Sequence, residues 1–204
     1  MANDSVNRPG TFDPARTAVL SMDLQTALVS IYVKDAGMME RAAAVLKRAR
    51  DAGMCVIHVR VGFRPGLPEV SDRNAHFAAI KKSPQHQAIF EGAAGAIHSA
   101  VAAMPGEIVI TKARVSAFAG TDLALILRAK NIDTLVLFGI ATSGVVLSTL
   151  LEAGDADYRV AVIQDCCTDR DAELHAALLS KLFPRQAEML TAAEFLPAAK
   201  TAAE

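Results

Sequence analysis

Several features that mark common classes of protein are scarce or missing in this sequence of 204 residues. Lysine and arginine total 21 and aspartate and glutamate 22, so the formal net charge is −1, with no basic stripe of the kind that a phosphate backbone requires. We therefore expect no nucleic-acid partner. No apolar run reaches the ~18 residues needed to cross a bilayer, and the polar N-terminus lacks the hydrophobic segment of a secretion signal. These absences predict a cytoplasmic protein without membrane contact.

Cysteine is also scarce. Cys55, Cys166 and Cys167 are too few and too poorly spaced for a disulfide framework or a zinc site, which fits a reducing compartment. Apolar residues, in contrast, make up 52% of the chain, enough for one sizeable core. We expect a polar N-terminal arm over residues 1–16 and a single domain over residues 17–204.

Short apolar runs alternate with helical patterns along the chain. The predicted helices cover residues 35–52, 121–130, 144–153 and 173–183, and the predicted strands cover residues 17–23, 54–60, 107–111, 134–138, 158–164 and 187–190. This alternation predicts right-handed crossovers and a parallel sheet covered by helices on both faces, which is an α/β fold. Residues 61–105 interrupt the alternation with a turn-rich insertion, and we expect this insertion to form a lid over a pocket.

Polar side chains follow predicted strands at the edge where an open parallel sheet binds its ligands. Asp23 ends the first strand, with Gln25 two residues later, and Lys112 follows the third strand. A lysine beside a buried carboxylate would keep it ionised and fix its orientation. His76 is the polar candidate in the insertion. The alternatives are an aspartate that caps the next element, a lysine on a surface loop and a solvent-exposed histidine.

The segment from Thr134 to Thr149 runs from a buried strand into a helix through a short polar turn, Thr142-Ser143-Gly144. Backbone N–H groups at such a helix start favour developing negative charge, so a reacting oxygen could lie there. The alternative is that any strand-to-helix turn in an α/β protein has this appearance.

Together, these segments resemble the isochorismatase-like hydrolases, also called the cysteine hydrolase superfamily, over about residues 17–196. The resemblance rests on three motifs: Asp23 with Gln25, the run Lys112-Ala-Arg-Val-Ser-Ala-Phe118 with Thr121 and Leu123, and Gly139-Ile-Ala-Thr-Ser-Gly-Val-Val146 with Thr149. It implies a three-layer α/β/α fold with a six-stranded parallel sheet in the order 3-2-1-4-5-6. It also implies a cis peptide bond at Ala141–Thr142 and a homodimer or homotetramer.

The expected site has Asp23 and Lys112 as catalytic residues. The substrate-binding candidates are Gln25, Arg114, Phe118, Ala141, Thr142, Val145 and His76. In the family's amidases the nucleophile is a cysteine three residues beyond the threonine that corresponds to Thr142. Here that position is Val145, and a valine cannot attack a carbonyl.

No other residue is an evident replacement for the missing thiol. Cys166 and Cys167 are expected one strand away from the site. Ser143 and Ser148 lack an evident base, since the nearest histidine along the chain, His175, lies on the following crossover. The second strand ends His58-Val59-Arg60, without the Asp-x-His pair by which nicotinamidases hold a metal, so we predict neither a metal nor a cofactor.

Two functions remain open. The first is a hydrolase of a small molecule that works without a cysteine. True isochorismatases do this by protonating a vinyl ether with the aspartate, after which water adds; direct activation of water by Asp23 is the other route. The second is an amidase-derived scaffold that has lost catalysis and acts as a binding or interaction protein. The Asp23–Lys112 pair favours the first, because a buried ion pair is weak evidence for stability alone.

Overall fold

A six-stranded parallel sheet forms the centre of the computed structural model, which describes residues 11–197. The strands are β1 (Thr17–Met22), β2 (Cys55–Val61), β3 (Ile108–Lys112), β4 (Thr134–Ile140), β5 (Arg159–Thr168) and β6 (Glu188–Leu190). They lie in the order β3-β2-β1-β4-β5-β6, and all neighbours pair in parallel. The sheet order 3-2-1-4-5-6 is therefore confirmed.

The central strands are buried along their whole length. Every residue of β1 and β4 is buried, as expected for apolar and β-branched runs that are covered on both faces. Two strands extend at least two residues further than predicted: β4 continues to Ile140 and β5 to Thr168. Both extensions lie at the carboxyl edge of the sheet, where ligands of parallel sheets bind.

Helices flank the sheet and complete a three-layer α/β/α arrangement. They are α1 (Thr26–Tyr32), α2 (Met38–Ala52), α3 (Ala75–Lys81), α4 (Pro84–Ala88), α5 (Leu123–Ala129), α6 (Leu147–Asp155) and α7 (Ala172–Ala177). In α2 the buried residues recur at helical spacing, and Gly53 ends the helix in a left-handed conformation. The predicted helix over 173–183 is shorter than expected, because α7 passes into a wider turn at Leu178–Leu182 and a 3₁₀ turn at Phe183–Arg185.

The insertion between β2 and β3 contains two helices that the sequence patterns did not predict. Asn74 caps α3 by accepting a hydrogen bond from the amide of Phe77, and Ser83 caps α4 in the same way through His86. A second, smaller apolar cluster stabilises this segment; its buried members are Leu67, Val70, Phe77 and Ile80. The insertion thus has its own packing and borders the carboxyl edge of the sheet.

The two ends of the described chain meet. Thr11–Phe12 pairs in parallel with Leu196–Pro197, and the Phe12 ring is fully buried, 5.7 Å from the ring of Phe195. Residues 1–10 of the expected arm and the Ala-rich tail over 198–204 lie outside the described residues. Between residues 11 and 197, no helix is long and apolar enough to cross a membrane.

Candidate active site

Asp23 and Lys112 form a buried ion pair at the carboxyl edge of the sheet. Asp23 directly follows β1, with a left-handed backbone (φ 55°), and its amide donates to the carbonyl of Val59 at 2.8 Å. Lys112 is the last residue of β3, and its Nζ lies 2.7 Å from Asp23 Oδ2 and 3.1 Å from the carbonyl oxygen of Arg114. The side chains are only 6% and 2% exposed, respectively. The pairing expected from the two strand ends is present.

The two oxygens of Asp23 have different surroundings. Oδ2 accepts the hydrogen bond from Lys112, whereas Oδ1 is buried and has no hydrogen-bond partner among the described residues. Burial raises the pKa of the Asp23 carboxyl, and the charge and hydrogen bond of Lys112 oppose this effect without cancelling it. The site therefore contains a carboxyl group with a raised pKa and one oxygen that no described residue binds.

A cavity of about 340 Å³ opens in front of this pair. Its walls are mostly apolar, and Val145 and Ala141 line it together with Asp23 and Lys112. Two further cationic groups, Arg114 and Arg170, and two exposed histidines, His76 and His86, also line it; these histidines come from α3 and α4 of the insertion. Asp23 is the only acidic residue that lines the cavity within the described chain.

The turn after β4 forms part of the cavity wall. Gly139 is required before it, because its φ is +147° and a Cβ there would lie 2.0 Å from the carbonyl oxygen of Met22. A cis peptide bond follows at Ile140–Ala141, so the expected position, Ala141–Thr142, is wrong by one residue. The chain then makes a wide turn over Thr142–Val146 before α6 begins at Leu147, three residues later than predicted.

Two contacts that the sequence did not predict connect this turn to α7 and the loop before it. His175 Nδ1 lies 2.8 Å from the hydroxyl oxygen of the fully buried Thr142, and the amide of Ser143 donates to Asp169 Oδ2 at 2.7 Å. Burial lowers the pKa of His175, while the negative charge of Asp169 acts in the opposite direction. These contacts hold the loop that carries Arg170 against the turn that carries Val145.

The remaining sequence candidates occupy different positions. Gln25 is fully buried and binds backbone only: Nε2 donates to the carbonyls of Val61 (3.0 Å) and Gly95 (2.8 Å), and Oε1 accepts from the Val61 amide at 2.8 Å. Phe118 packs against Tyr158, with ring centroids 6.1 Å apart, and does not line the cavity. Arg114 lines it, with Nη1 and Nη2 bound to the carbonyls of Ala113 and Glu69.

The other residues considered as nucleophiles in place of the missing cysteine are also restricted by their positions. Cys166 and Cys167 are buried within β5 and do not line the cavity, and burial raises the pKa of both thiols, that of Cys167 to about 12. The hydroxyl of Ser148 donates to the carbonyl of Gly144 at 2.8 Å. Among the described residues, no three His, Cys, Asp or Glu side chains are grouped so that they could hold a metal ion.

Comparison with known proteins identifies the family. A family model for the isochorismatase domain matches residues 17–194. The maleamate amidohydrolase of Pseudomonas putida is 33% identical over 154 residues, covering 75% of this chain and 70% of that protein. A ureidoacrylate amidohydrolase of Methylobacterium radiotolerans is 32% identical over 196 residues, covering 85% and 76%, respectively.

Solved structures agree with the sequence relatives. A structure of an isochorismatase family protein from Burkholderia thailandensis matches with a TM-score of 0.78 and 27% identity, covering 92% of this chain and 96% of that one. The expected enzyme class, a hydrolase, is confirmed by these relatives, and the scaffold without catalysis is not favoured. The chain belongs to the isochorismatase family of hydrolases.

Proposed function

We propose that this protein hydrolyses a small carboxylate-bearing amide, or a related compound, by proton transfer through Asp23 and without a covalent intermediate. The observation that supports this most directly is that Asp23 lines the cavity while its Oδ1 is bound by no described residue. A buried carboxylate made only for stability would have both oxygens satisfied. Val145, at the position of the family's nucleophile, presents an apolar side chain to the same cavity.

The proposed proton transfer follows from the two opposing effects on the pKa of Asp23. Burial favours the neutral carboxyl and Lys112 favours the carboxylate, and the net raised pKa makes Asp23 a better proton acceptor than an ordinary aspartate. As carboxylate, Oδ1 takes a proton from a water that adds to the substrate carbonyl. The resulting carboxyl then gives this proton to the leaving nitrogen, which restores the carboxylate. Lys112 fixes the carboxyl plane by donating to Oδ2.

The same carboxyl could act first as an acid. It would then protonate the carbon of a vinyl ether, and water would add to the resulting cation. The named amidohydrolases among the relatives favour the amide reaction for this chain. We keep the vinyl-ether reaction as the second candidate because Val145 leaves no thiol for either chemistry.

Arg170 indicates an anionic substrate. Its guanidinium lines the cavity and lies 5.1 Å from the ring centroid of Tyr32, but its side chain forms no hydrogen bond or ion pair with any described residue. An arginine in this setting is suited to bind a carboxylate with two parallel hydrogen bonds. Maleamate and ureidoacrylate, which the relatives' names give as substrates, both carry a carboxylate.

The test is a screen followed by pH–rate profiles. Purified protein is assayed with maleamate, ureidoacrylate, other primary amides, carbamoyl compounds and vinyl ethers. On the best substrate, Asp23→Asn should lower kcat by at least ~10², because it keeps the shape but removes the titrating group. Lys112→Ala should lower kcat and shift the pH profile to higher pH, since Asp23 loses the charge that lowers its pKa. The matched control is Asp51→Asn, which removes an exposed carboxylate.

Arg170 is tested separately. Arg170→Gln should raise KM for the carboxylate substrate by roughly tenfold and leave a neutral analogue unaffected. Unchanged turnover in Asp23→Asn would refute the proton-transfer role. Binding of these compounds without any turnover would instead support the scaffold that has lost catalysis.

A further inference from the structure

A second cavity, which the proposed reaction does not use, lies beside the site. It has a volume of about 690 Å³ and is bordered by the ends of β2 and β3 and by the insertion. Three arginines line it: Arg60 from β2, Arg64 from the insertion, and Arg114, which also lines the cavity of Asp23. We call it the arginine cavity. Glu69 is the only acidic residue that lines it within the described chain.

Arg60 has no partner for its charge among the described residues. Its side chain forms no hydrogen bond or ion pair with them, and its Nε is buried from solvent. A buried guanidinium N–H without a hydrogen bond is costly, and charged donors are the most costly of all. A Cβ at position 62 would lie 2.7 Å from the Thr111 methyl and 3.5 Å from Arg60 Nη2, so Gly62 leaves the space beside this guanidinium free.

Glu69 supplies the opposite group. Its Oε1 accepts the amide of Arg64 at 2.8 Å, and its Oε2 is buried without a hydrogen-bond partner among the described residues. The backbone hydrogen bonds and the charges of Arg64 and Arg114 outweigh burial and lower the pKa of Glu69, so it is ionised at neutral pH. The arginine cavity therefore contains an unpaired donor and an unpaired acceptor, with three guanidinium groups to one carboxylate.

The apolar part of the wall is aromatic. The rings of Phe63 and Phe90 line the cavity and meet edge to face, with centroids 5.6 Å apart. From these groups we propose that the arginine cavity binds a small phosphorylated or carboxylated molecule that also carries a hydroxyl or amino donor. Its oxyanion accepts from Arg60 with Arg64 and Arg114 nearby, its donor binds Glu69 Oε2, and its carbon skeleton lies against the two rings.

This ligand does not occupy the catalytic cavity. Arg114 and Phe90 form a wall common to both, and the carbonyl of Arg114 accepts the hydrogen bond from Lys112 Nζ. A molecule in the arginine cavity therefore contacts a residue whose backbone holds the catalytic lysine. Binding there can be measured without any turnover, so its outcome does not depend on the proposed reaction.

The experiment is isothermal titration calorimetry with inorganic phosphate and with glycerol 3-phosphate, at constant ionic strength and pH 7.5. Glycerol 3-phosphate should bind more tightly than phosphate, because its hydroxyls reach Glu69. Arg60→Gln should weaken phosphate binding at least ~10-fold, since a charge-assisted hydrogen bond is lost. Glu69→Gln should tighten phosphate binding ~3-fold by removing the repelling charge, while abolishing the preference for glycerol 3-phosphate.

Arg64→Gln provides a variant whose folding is not at risk, because the Arg64 side chain is 78% exposed. This variant should weaken phosphate binding ~3-fold. Arg73→Gln, an exposed arginine of the insertion that does not line the cavity, is the matched control and should change nothing. The proposal is overturned if phosphate produces no heat at millimolar concentration, or if Arg60→Gln binds like wild type. It is also overturned if Arg170→Gln abolishes binding, because the anion would then occupy the catalytic cavity.

Discussion

Removing Lys112 alone should destabilise the protein far more than removing the Asp23–Lys112 pair. With Nζ and Oδ2 2.7 Å apart, an effective dielectric constant of ~20 gives an attraction of about 6 kcal/mol. This is a gross value, because both ions also lost their hydration on folding. Breaking a buried pair by removing one partner costs about 3–5 kcal/mol, whereas replacing both partners is often neutral. We therefore expect Lys112→Met to lower the free energy of unfolding by about 3–5 kcal/mol at pH 7, and Asp23→Asn/Lys112→Met to recover most of it.

The pH dependence of this loss identifies its cause. Without Lys112, the folded-state pKa of Asp23 rises further above the ordinary value of 3.8 that the unfolded chain retains. The folded variant then binds a proton that the unfolded chain releases, so its stability increases as the pH falls, by up to about 1.4 kcal/mol per pH unit. The deficit of Lys112→Met should therefore shrink as the pH falls from 7 through the raised pKa of Asp23 in the variant.

Urea denaturation of the wild type, both single variants and the double variant gives the coupling energy. Lys47→Met is the matched control, because Lys47 and its partner Asp51 are 74% and 61% exposed and their pair contributes less than about 1 kcal/mol. A double variant as unstable as the sum of the two single variants would show that the loss arises from packing. A deficit that is independent of pH would exclude the unpaired carboxylate as its cause.

Three further predictions concern Gln25, Glu107 and the three thiols. Gln25→Ala leaves backbone groups of Val61 and Gly95 without partners, so the free energy of unfolding should fall by about 2–4 kcal/mol. Limited proteolysis should also cleave the insertion faster in this variant. The exposed control Ser30→Ala should show neither effect. Burial acts to raise the pKa of Glu107, but hydrogen bonds from Arg50, the Met104 amide and His58 lower it to about 2. The free energy of unfolding of wild type should therefore fall by roughly 2–3 kcal/mol as the pH falls from about 4.5 to 2. Glu107→Gln should show no such loss. Hydrolysis should survive iodoacetamide, because burial raises the pKa of all three thiols; inactivation that persists in Cys55→Ser would assign catalysis to Cys166 or Cys167.

The sequence predicts the pairing of Asp23 and Lys112 because it depends only on strand topology. Both residues end strands that point to the same edge of a parallel sheet, and an acid and a base at that edge pair when they are buried. The order of the strands came from the family resemblance, since periodicity alone does not specify which strands are neighbours. The homodimer or homotetramer and the cytoplasmic location remain predictions.

The sequence could not predict the contacts that depend on the exact path of the chain. The bond between Thr142 and His175 joins residues 33 positions apart, and nothing in the local pattern of α7 indicates which side His175 occupies. Gln25 was expected at the substrate because it lies two residues after Asp23 in the family motif, yet its amide binds backbone groups of Val61 in β2 and of Gly95 in the insertion. Helix α1 has only seven residues, too few to give a clear periodic pattern.

Two carboxylates in this protein, the buried Asp23 and the partly buried Glu107, have opposite pKa shifts, and the difference separates structural from chemical roles. Glu107 has a pKa lowered to about 2, since Oε1 accepts from Arg50 and Oε2 from the amide of Met104 and from His58. It is therefore ionised at every physiological pH and can only stabilise the fold. Asp23 has a raised pKa, one oxygen without a partner and a cavity beside it. A carboxyl group in this state costs stability, and it is the only one of the two that can exchange a proton with a bound molecule.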